Sequence, residues 1–323
     1  MYTYNNFIGI VNEELDKLRF GNDPKQLYDP IYYSINVGGK RIRPVLCLMS
    51  AELFGGDFQN AMSAAIGIEI FHNFTLLHDD MMDNALVRRG KPVVHVKWNN
   101  NIALLSGDAM SVIAYKYISG TKNHLQEILD VFSDTALKIC EGQQFDMDFE
   151  NAKNVSEDEY LKMINLKTAV LLAASLKIGA ITANANAKDC ENIYEFGRNL
   201  GMAFQLQDDL LDVFGDTEKF GKKIGGDIVA NKKTYLLIKA LELADEKTKE
   251  DLNYWLMAKE FVCDEKIVAV KTIYESLNIG EFSAKLMNAY FQTAFECFDS
   301  ISLPLEKKEQ LLSFTNKLRN REF

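Results

Sequence analysis

Apolar residues recur three and four apart along almost the whole chain, the spacing that lays them on one face of an α-helix. In residues 7–18 the stripe is Phe7, Ile10, Val11, Leu15 and Leu18. The turn-forming stretch NVGGKRIRP at 36–44 leads into the apolar run VLCLMSAELFG, which the glycine pair at 55–56 ends. Residues 61–84, AMSAAIGIEIFHNFTLLHDDMMDN, predict a helix that is small and apolar early and acidic late. The pattern continues over 102–118 and 125–149. SEDE at 156–159 has the form of a capping box, Ser156 at the cap and Glu159 three residues on, and opens a helix through LKTAVLLAASLKIGA. Residues 191–214 are helical again. FGDTEKFGKKIGGDIVANKK at 214–233 then breaks the pattern with four glycines and clustered lysines, and reads as an ordered or ligand-ordered loop. A more polar helical third follows.

Composition sharpens this picture. The chain has 323 residues, 47% of them hydrophobic, and only five prolines, none between Val93 and Leu303. That gap favours a predominantly helical protein. No Pro-, Ser- or Gly-rich linker divides it, so the expectation is one all-α domain over 1–323, a bundle of about ten or more helices. A net charge of −10 makes nonspecific nucleic-acid binding improbable. The five cysteines, Cys47, Cys140, Cys190, Cys263 and Cys297, never form C-x-x-C and read as reduced core residues of a cytosolic protein. The first twenty residues lack a basic region and a long apolar run, so no signal peptide is expected. No uninterrupted apolar stretch approaches the length of a bilayer span, and a soluble cytoplasmic protein is the default.

Candidate chemistry lies in two acidic clusters. Asp79, Asp80 and Asp83 stand at i, i+1 and i+4, and Asp208, Asp209 and Asp212 repeat the spacing. On a helix the first and last members of each share a face, one turn apart. Like charges at that distance repel unless a cation lies between them. A lone D-D-x-x-D reads equally well as a solvated face; two copies, each embedded among apolar residues (TLL before one, AFQL before the other), do not. Oxygen-only ligands suit Mg²⁺, which keeps waters and bridges to phosphate. Basic residues also gather: Lys40, Arg41 and Arg43; Arg88, Arg89 and Lys91; Lys222 and Lys223; Lys232 and Lys233. Carboxylates for metal beside convergent lysines and arginines describe a diphosphate site.

GGKRIRP, HDDMMDNALVRRGKP, LKTAVL, FQLQDDLLD and KKIGGDIVANKKT occur in the order found in the trans-prenyltransferases, the polyprenyl synthetase family, which the chain resembles over roughly residues 36–234. The resemblance implies an isoprenoid synthase fold, helices around a central active-site cavity, and a homodimer. It implies condensation of isopentenyl diphosphate with an allylic diphosphate using three Mg²⁺. By the same resemblance Lys40, Arg43, His72 and Arg89 grip isopentenyl diphosphate. Asp79 and Asp83 bind two metals and Asp208 the third, with Asp80, Asp209 and Asp212 supporting. Arg88, Lys167, Thr168, Gln205, Lys222 and Lys232 hold the allylic diphosphate or stabilise the nearby cation, with Lys167, Gln205, Lys222 and Lys232 as the catalytic set. Asn231 departs from the glycine common before that lysine, and Tyr235-Leu236 from a frequent Leu-Pro. Arg319 and Arg321 are further candidates for the diphosphate site.

Chain length is read from the helix carrying the first cluster. Phe74 and Thr75 stand five and four positions before Asp79, and Phe71 one turn further. One aromatic and an uninterrupted DDMMD resemble archaeal-type C20 synthases, so geranylgeranyl diphosphate is expected ahead of farnesyl diphosphate. His72 alone would be a core histidine, but the motif downstream favours a ligand role; His78 is expected to be structural. Gly142 and Gln143 either line the cavity or pack. Other readings are a longer-chain synthase, a class I terpene cyclase and a non-catalytic subunit of a heteromeric synthase. QLQDDLLD and GGKRIRP argue against the cyclase, and the intact clusters against the inert subunit. A di-iron bundle needs paired E-x-x-H motifs, and Glu69–His72 is the single match.

Overall fold

A computed structural model describes residues 2–215 and 224–320. Its helices are α1 (Tyr4–Asp16), α2 (Lys25–Asn36), α3 (Ile42–Leu53), α4 (Gln59–Met82), α5 (Val94–Lys97), α6 (Asn100–Ile118), α7 (Leu125–Asn151), α8 (Glu157–Ile164), α9 (Val170–Thr182) and α10 (Ala187–Phe214). Further helices cover Gly226–Val229, Tyr235–Leu243, Glu246–Met257, Cys263–Ser276, Ile279–Asp299 and Leu305–Asn320. Among the described residues the protein is all-α apart from one short antiparallel hairpin, in which Val87 faces Pro92 and Arg88 faces Lys91. Contacts divide the chain into two compact units.

The first unit comprises Met1–Thr135, Leu172–Tyr194 and Ser300–Phe323. Helix α4 packs along α6 and against α3. Its middle buries residues on every side, Ala64, Ala65, Ile66, Ile68, Ile70 and Phe71 among them, as a helix apolar all round must. Gly55 (φ +82°), past the end of α3, is one of the pair expected to stop that helix. The hairpin was not anticipated. Its loop, Arg89-Gly90, has positive φ at both residues (52° and 74°), the condition for the tight primed turn that lets two strands pair, yet Arg-Gly lacks the Asn or Asp that usually signals it.

The second unit comprises Ala136–Leu171 and Glu195–Asp299. Ser156 and Glu159 form the expected capping box at the start of α8. The helix expected to run on from there is interrupted by a π-helical turn at Asn165–Ala169. The Tyr235–Leu243 helix serves two cores at once. Tyr235 and Ile238 pack with Tyr160, Met163, Met202 and Leu206, whereas Leu236, Leu237 and Ala240 pack with Leu252, Val270 and Tyr274.

The stretch Glu157–Thr182 is long and apolar enough to cross a membrane, but 72% of its apolar window is buried inside the protein, as befits a core helix. The cysteines depart from expectation: Cys47 and Cys190 are buried, but Cys140 and Cys263 are exposed.

Candidate active site

Within the first unit, the GGKR turn and the hairpin bring basic groups together. Gly39 has φ +148°, and a side chain there would collide with the Arg89 guanidinium, so the glycine leaves room for the arginine to lie against the turn. Arg43 Nη1 donates to His72 Nε2 at 3.0 Å. A guanidinium can only donate, so Nε2 carries the lone pair and the proton sits on Nδ1. Burial, with the positive charges of Arg43, Arg89, Arg88 and Arg41, drives the His72 pKa well below its usual value. His72 is therefore a neutral imidazole among cations. Lys40 is exposed at the same turn. Arg41 does not join this group. It sits in the left-handed region (φ 50°), 6% exposed, and binds Glu69 Oε1 at 2.6 Å, Ile35 O and Asn12 Oδ1. That buried pair anchors α3 to α4 and also removes Glu69 from any E-x-x-H chemistry.

The first aspartate cluster closes α4, with Asp83 as its C-cap. Asp80 is 6% exposed, and both its carboxylate oxygens accept from Arg88 Nε (2.8 and 2.9 Å). Burial pushes its pKa up despite the arginine. Arg88 Nη2 reaches Asp79 Oδ2 at 3.4 Å. Asp79 is partly exposed and Asp83 exposed, so the cluster divides into a buried middle carboxylate and two outer ones.

Behind Asp79, rings meet edge to face or tilted in a row. Tyr115 meets Phe132 (5.0 Å between centroids), Phe132 meets Phe71 (5.1 Å), Phe71 meets Phe74 (5.3 Å) and Phe74 meets His78 (4.8 Å). Phe71 is 2% exposed and belongs to the core, whereas Phe74 and Thr75 are half-buried. His78 packs where a side chain at Gly107 would collide with it, and Nε2 lies 3.1 Å from Leu104 O. Both contacts tie it to α6.

The second unit repeats the division. Asp209 is 4% exposed and accepts from the Tyr160 hydroxyl and from Gln205 Nε2 (2.9 Å). Burial and the charge of Asp227 raise its pKa to about 8. Because the amide nitrogen is committed to Asp209, Gln205 Oε1 turns to accept from Thr168 Oγ1 at 3.0 Å. Lys167 Nζ pairs with Asp146 Oδ2 at 2.6 Å. Lys167 and Thr168 both lie on the π turn, and a side chain at Gly142 would collide with the Lys167 backbone. Gly142 therefore packs rather than lines. Asp208 and Asp212 are partly accessible. Asp212 Oδ2 accepts from Asp227 N at 2.9 Å. Lys232 is exposed, and its N–H donates to Asp227 O. Lys222 and Arg321 lie outside the described residues.

Among the described residues no three His, Cys, Asp or Glu side chains converge as a closed metal centre. Carboxylates one helical turn apart and reachable from solvent instead suit Mg²⁺, whose remaining positions go to water and phosphate. Tyr160, Asp146, Asp227 and the Arg41–Glu69 pair went unseen in the sequence. Each acts through contacts that spacing alone does not encode, though Asp146 sits one helical turn beyond Gly142 and Gln143.

A model of the Polyprenyl synthetase family matches residues 24–276. A geranylgeranyl diphosphate synthase from Methanosarcina mazei is 37% identical over 316 residues, covering 97% of this chain and 95% of its own. A short chain isoprenyl diphosphate synthase from Methanothermobacter thermautotrophicus is 43% identical over 263 residues, 80% of each chain. A crystal structure of a geranylgeranyl pyrophosphate synthase superposes with a TM-score of 0.94 at 44% identity, covering 99% of each chain.

Proposed function

Because the chain belongs to the polyprenyl synthetase family, we propose that it makes geranylgeranyl diphosphate from isopentenyl diphosphate and allylic primers. It is a prenyltransferase, and the reaction runs by ionisation of the allylic diphosphate, attack by the isopentenyl double bond and loss of a proton. The observation that carries the C20 product is the α4 wall: one half-buried aromatic, Phe74, five residues before Asp79, with the smaller Thr75 beside it. Bulk at one position leaves room for a longer tail than bulk at both.

The residues divide the work by charge. Lys40, Arg43, Arg89 and neutral His72 hold isopentenyl diphosphate; their grouping in one unit supports this. By the family resemblance Arg88, Lys167, Lys232 and Lys222 are assigned to the leaving diphosphate, whose growing negative charge cationic side chains stabilise. Thr168 and Gln205 are assigned to stabilising the developing positive carbon through their oxygens; the bonds from Gln205 to Asp209 and from Thr168 to Gln205 fix the orientation of the pair. Asp79, Asp83 and Asp208 are the direct ligands proposed for three Mg²⁺, with Asp80, Asp209 and Asp212 holding Arg88, Gln205 and the Asp227 turn in place. Bound Mg²⁺ neutralises the departing diphosphate. We also infer a homodimer: α6 exposes Leu104, Leu105 and Val112 at 50, 60 and 70%.

The test is incubation of purified protein with labelled isopentenyl diphosphate and C5, C10 or C15 primers, followed by sizing of the products. A dominant C20 product is expected. Accumulation of C15, or extension to C25 and beyond, would overturn the chain-length reading while leaving the family reaction intact.

A further inference from the structure

Lys266, on the Cys263–Ser276 helix, is an unusual residue to find with no exposure at all. Burying an ammonium costs several kcal/mol unless it is well paired. Among the described residues no carboxylate lies within ion-pairing distance of it. Its Nζ instead donates to Asn231 Oδ1 at 2.6 Å, lies 3.5 Å from Val229 O and stands 4.2 Å from the centre of the Phe261 ring. An apolar side chain could fill this volume without the desolvation cost. What it could not supply is the donor.

The receiving residue shows what the donor does. Asn231 sits at φ +53°, in the left-handed region, which asparagine tolerates better than most residues other than glycine. The backbone conformation is therefore open to it, and what its side-chain partners fix is the orientation of the turn. Its amide is held at both ends: Oδ1 by Lys266, and Nδ2 by Leu256 O at 3.1 Å. Lysine only donates and a carbonyl only accepts, so the amide has one orientation. The turn clamped in this way ends the Gly226–Val229 helix and delivers Lys232, whose N–H is tied to Asp227 O at 2.9 Å.

We propose that Lys266 is a positioning residue for the allylic diphosphate: by clamping Asn231 it holds the turn that presents Lys232. This rests on the assignment of Lys232 to that diphosphate. The clamp is lost when position 231 has no amide to receive the lysine, so the effect of Lys266 depends on Asn231.

Affinities for an unreactive thiodiphosphate analogue of the primer and for isopentenyl diphosphate are measured by calorimetry, with melting temperatures alongside. Lys232→Ala tests the underlying assignment: if it leaves primer-analogue affinity unchanged, that assignment fails, and the proposal with it. Given that it weakens binding, Lys266→Met is expected to weaken the primer analogue about 10-fold and isopentenyl diphosphate by less than about twofold. In an Asn231→Gly background, Lys266→Met is expected to have no further effect. Equal weakening of both ligands, tracking a fall in melting temperature, would reduce Lys266 to a packing residue. So would additivity of the two substitutions. If Lys266→Met does not fold, Asn231→Ala removes the acceptor and keeps the lysine; it must produce the same selective loss.

Discussion

Asp80 and Asp209 occupy the same place in their two clusters and have the same fate. Each is the second aspartate of D-D-x-x-D, each is buried, and each is held by protein donors, Asp80 by Arg88 and Asp209 by Tyr160 and Gln205. On a helix the i and i+4 members face one way and i+1 is rotated from them, so one carboxylate turns inward while two stay accessible. Asp79→Ala is expected to lower kcat/KM roughly 100- to 1000-fold with little change in melting temperature. Asp80→Asn should lower it less and cost stability as well, because Arg88 loses its partner. Steady-state kinetics and thermal melts of the two variants check this; the reverse ranking would mean that Asp80 is a direct ligand. The aromatic row makes a second contrast. Phe74→Ala is expected to lengthen the product. Phe71→Ala should chiefly destabilise, by about 3–5 kcal/mol for a buried ring, since Phe71 is wedged between Phe74 and Phe132. Product sizing and denaturant titration separate the two.

At the scale of elements, the π turn at Asn165–Ala169 is the device that presents Lys167 and Thr168. One added residue per turn breaks the regular helical register, which is why such turns recur at functional sites. Gly142 of α7 packs directly against that turn. Gly142→Ala is therefore expected to cost about 1–3 kcal/mol from overpacking and to weaken primer binding more than isopentenyl diphosphate binding. Comparing the two KM values with the unfolding free energy would show it. A loss of stability with both KM values unchanged would sever the turn from the site.

For the molecule as a whole, buried carboxylates tie stability to pH. Asp227 is raised to about 6 and Asp209 to about 8, each from a usual value of 3.8, chiefly by burial. A raised carboxyl binds more protons folded than unfolded, so its contribution falls as pH rises towards the folded pKa. His72 acts oppositely: with a depressed pKa its cost appears below its usual 6.5 and is absent above it. Between pH 6.5 and 8, then, Asp227 and His72 are both flat and Asp209 remains. The metal-free protein is expected to lose stability across that window, and Asp209→Asn is expected to flatten the slope. Melts in chelator at pH 6.5 and 8 measure it; an equal slope in the variant would refute the assignment.

Most of the helices, and the kind of chemistry their side chains suit, were legible in the order of the residues. Helical periodicity, the proline-free stretch, the Ser156–Glu159 cap and the doubled i, i+1, i+4 aspartates are all local patterns, and local backbone geometry is enough to realise them. Which members of those patterns face outward depends on what packs against them. Arg41 and Arg43 are two residues apart, yet one is buried on Glu69 and the other meets His72. Nothing in their spacing says so, because the partner lies almost thirty residues away and burial depends on what packs there. The π turn was hidden for the same reason. An α-helix and an α-helix with one inserted residue share nearly the same apolar pattern, and the choice between them is made by the backbone that packs alongside. Lys266 carries no motif at all. Its position on a helix predicts a solvated lysine, and only the packing of the Asn231 turn over it makes an enclosed donor whose shortest bond goes to Asn231.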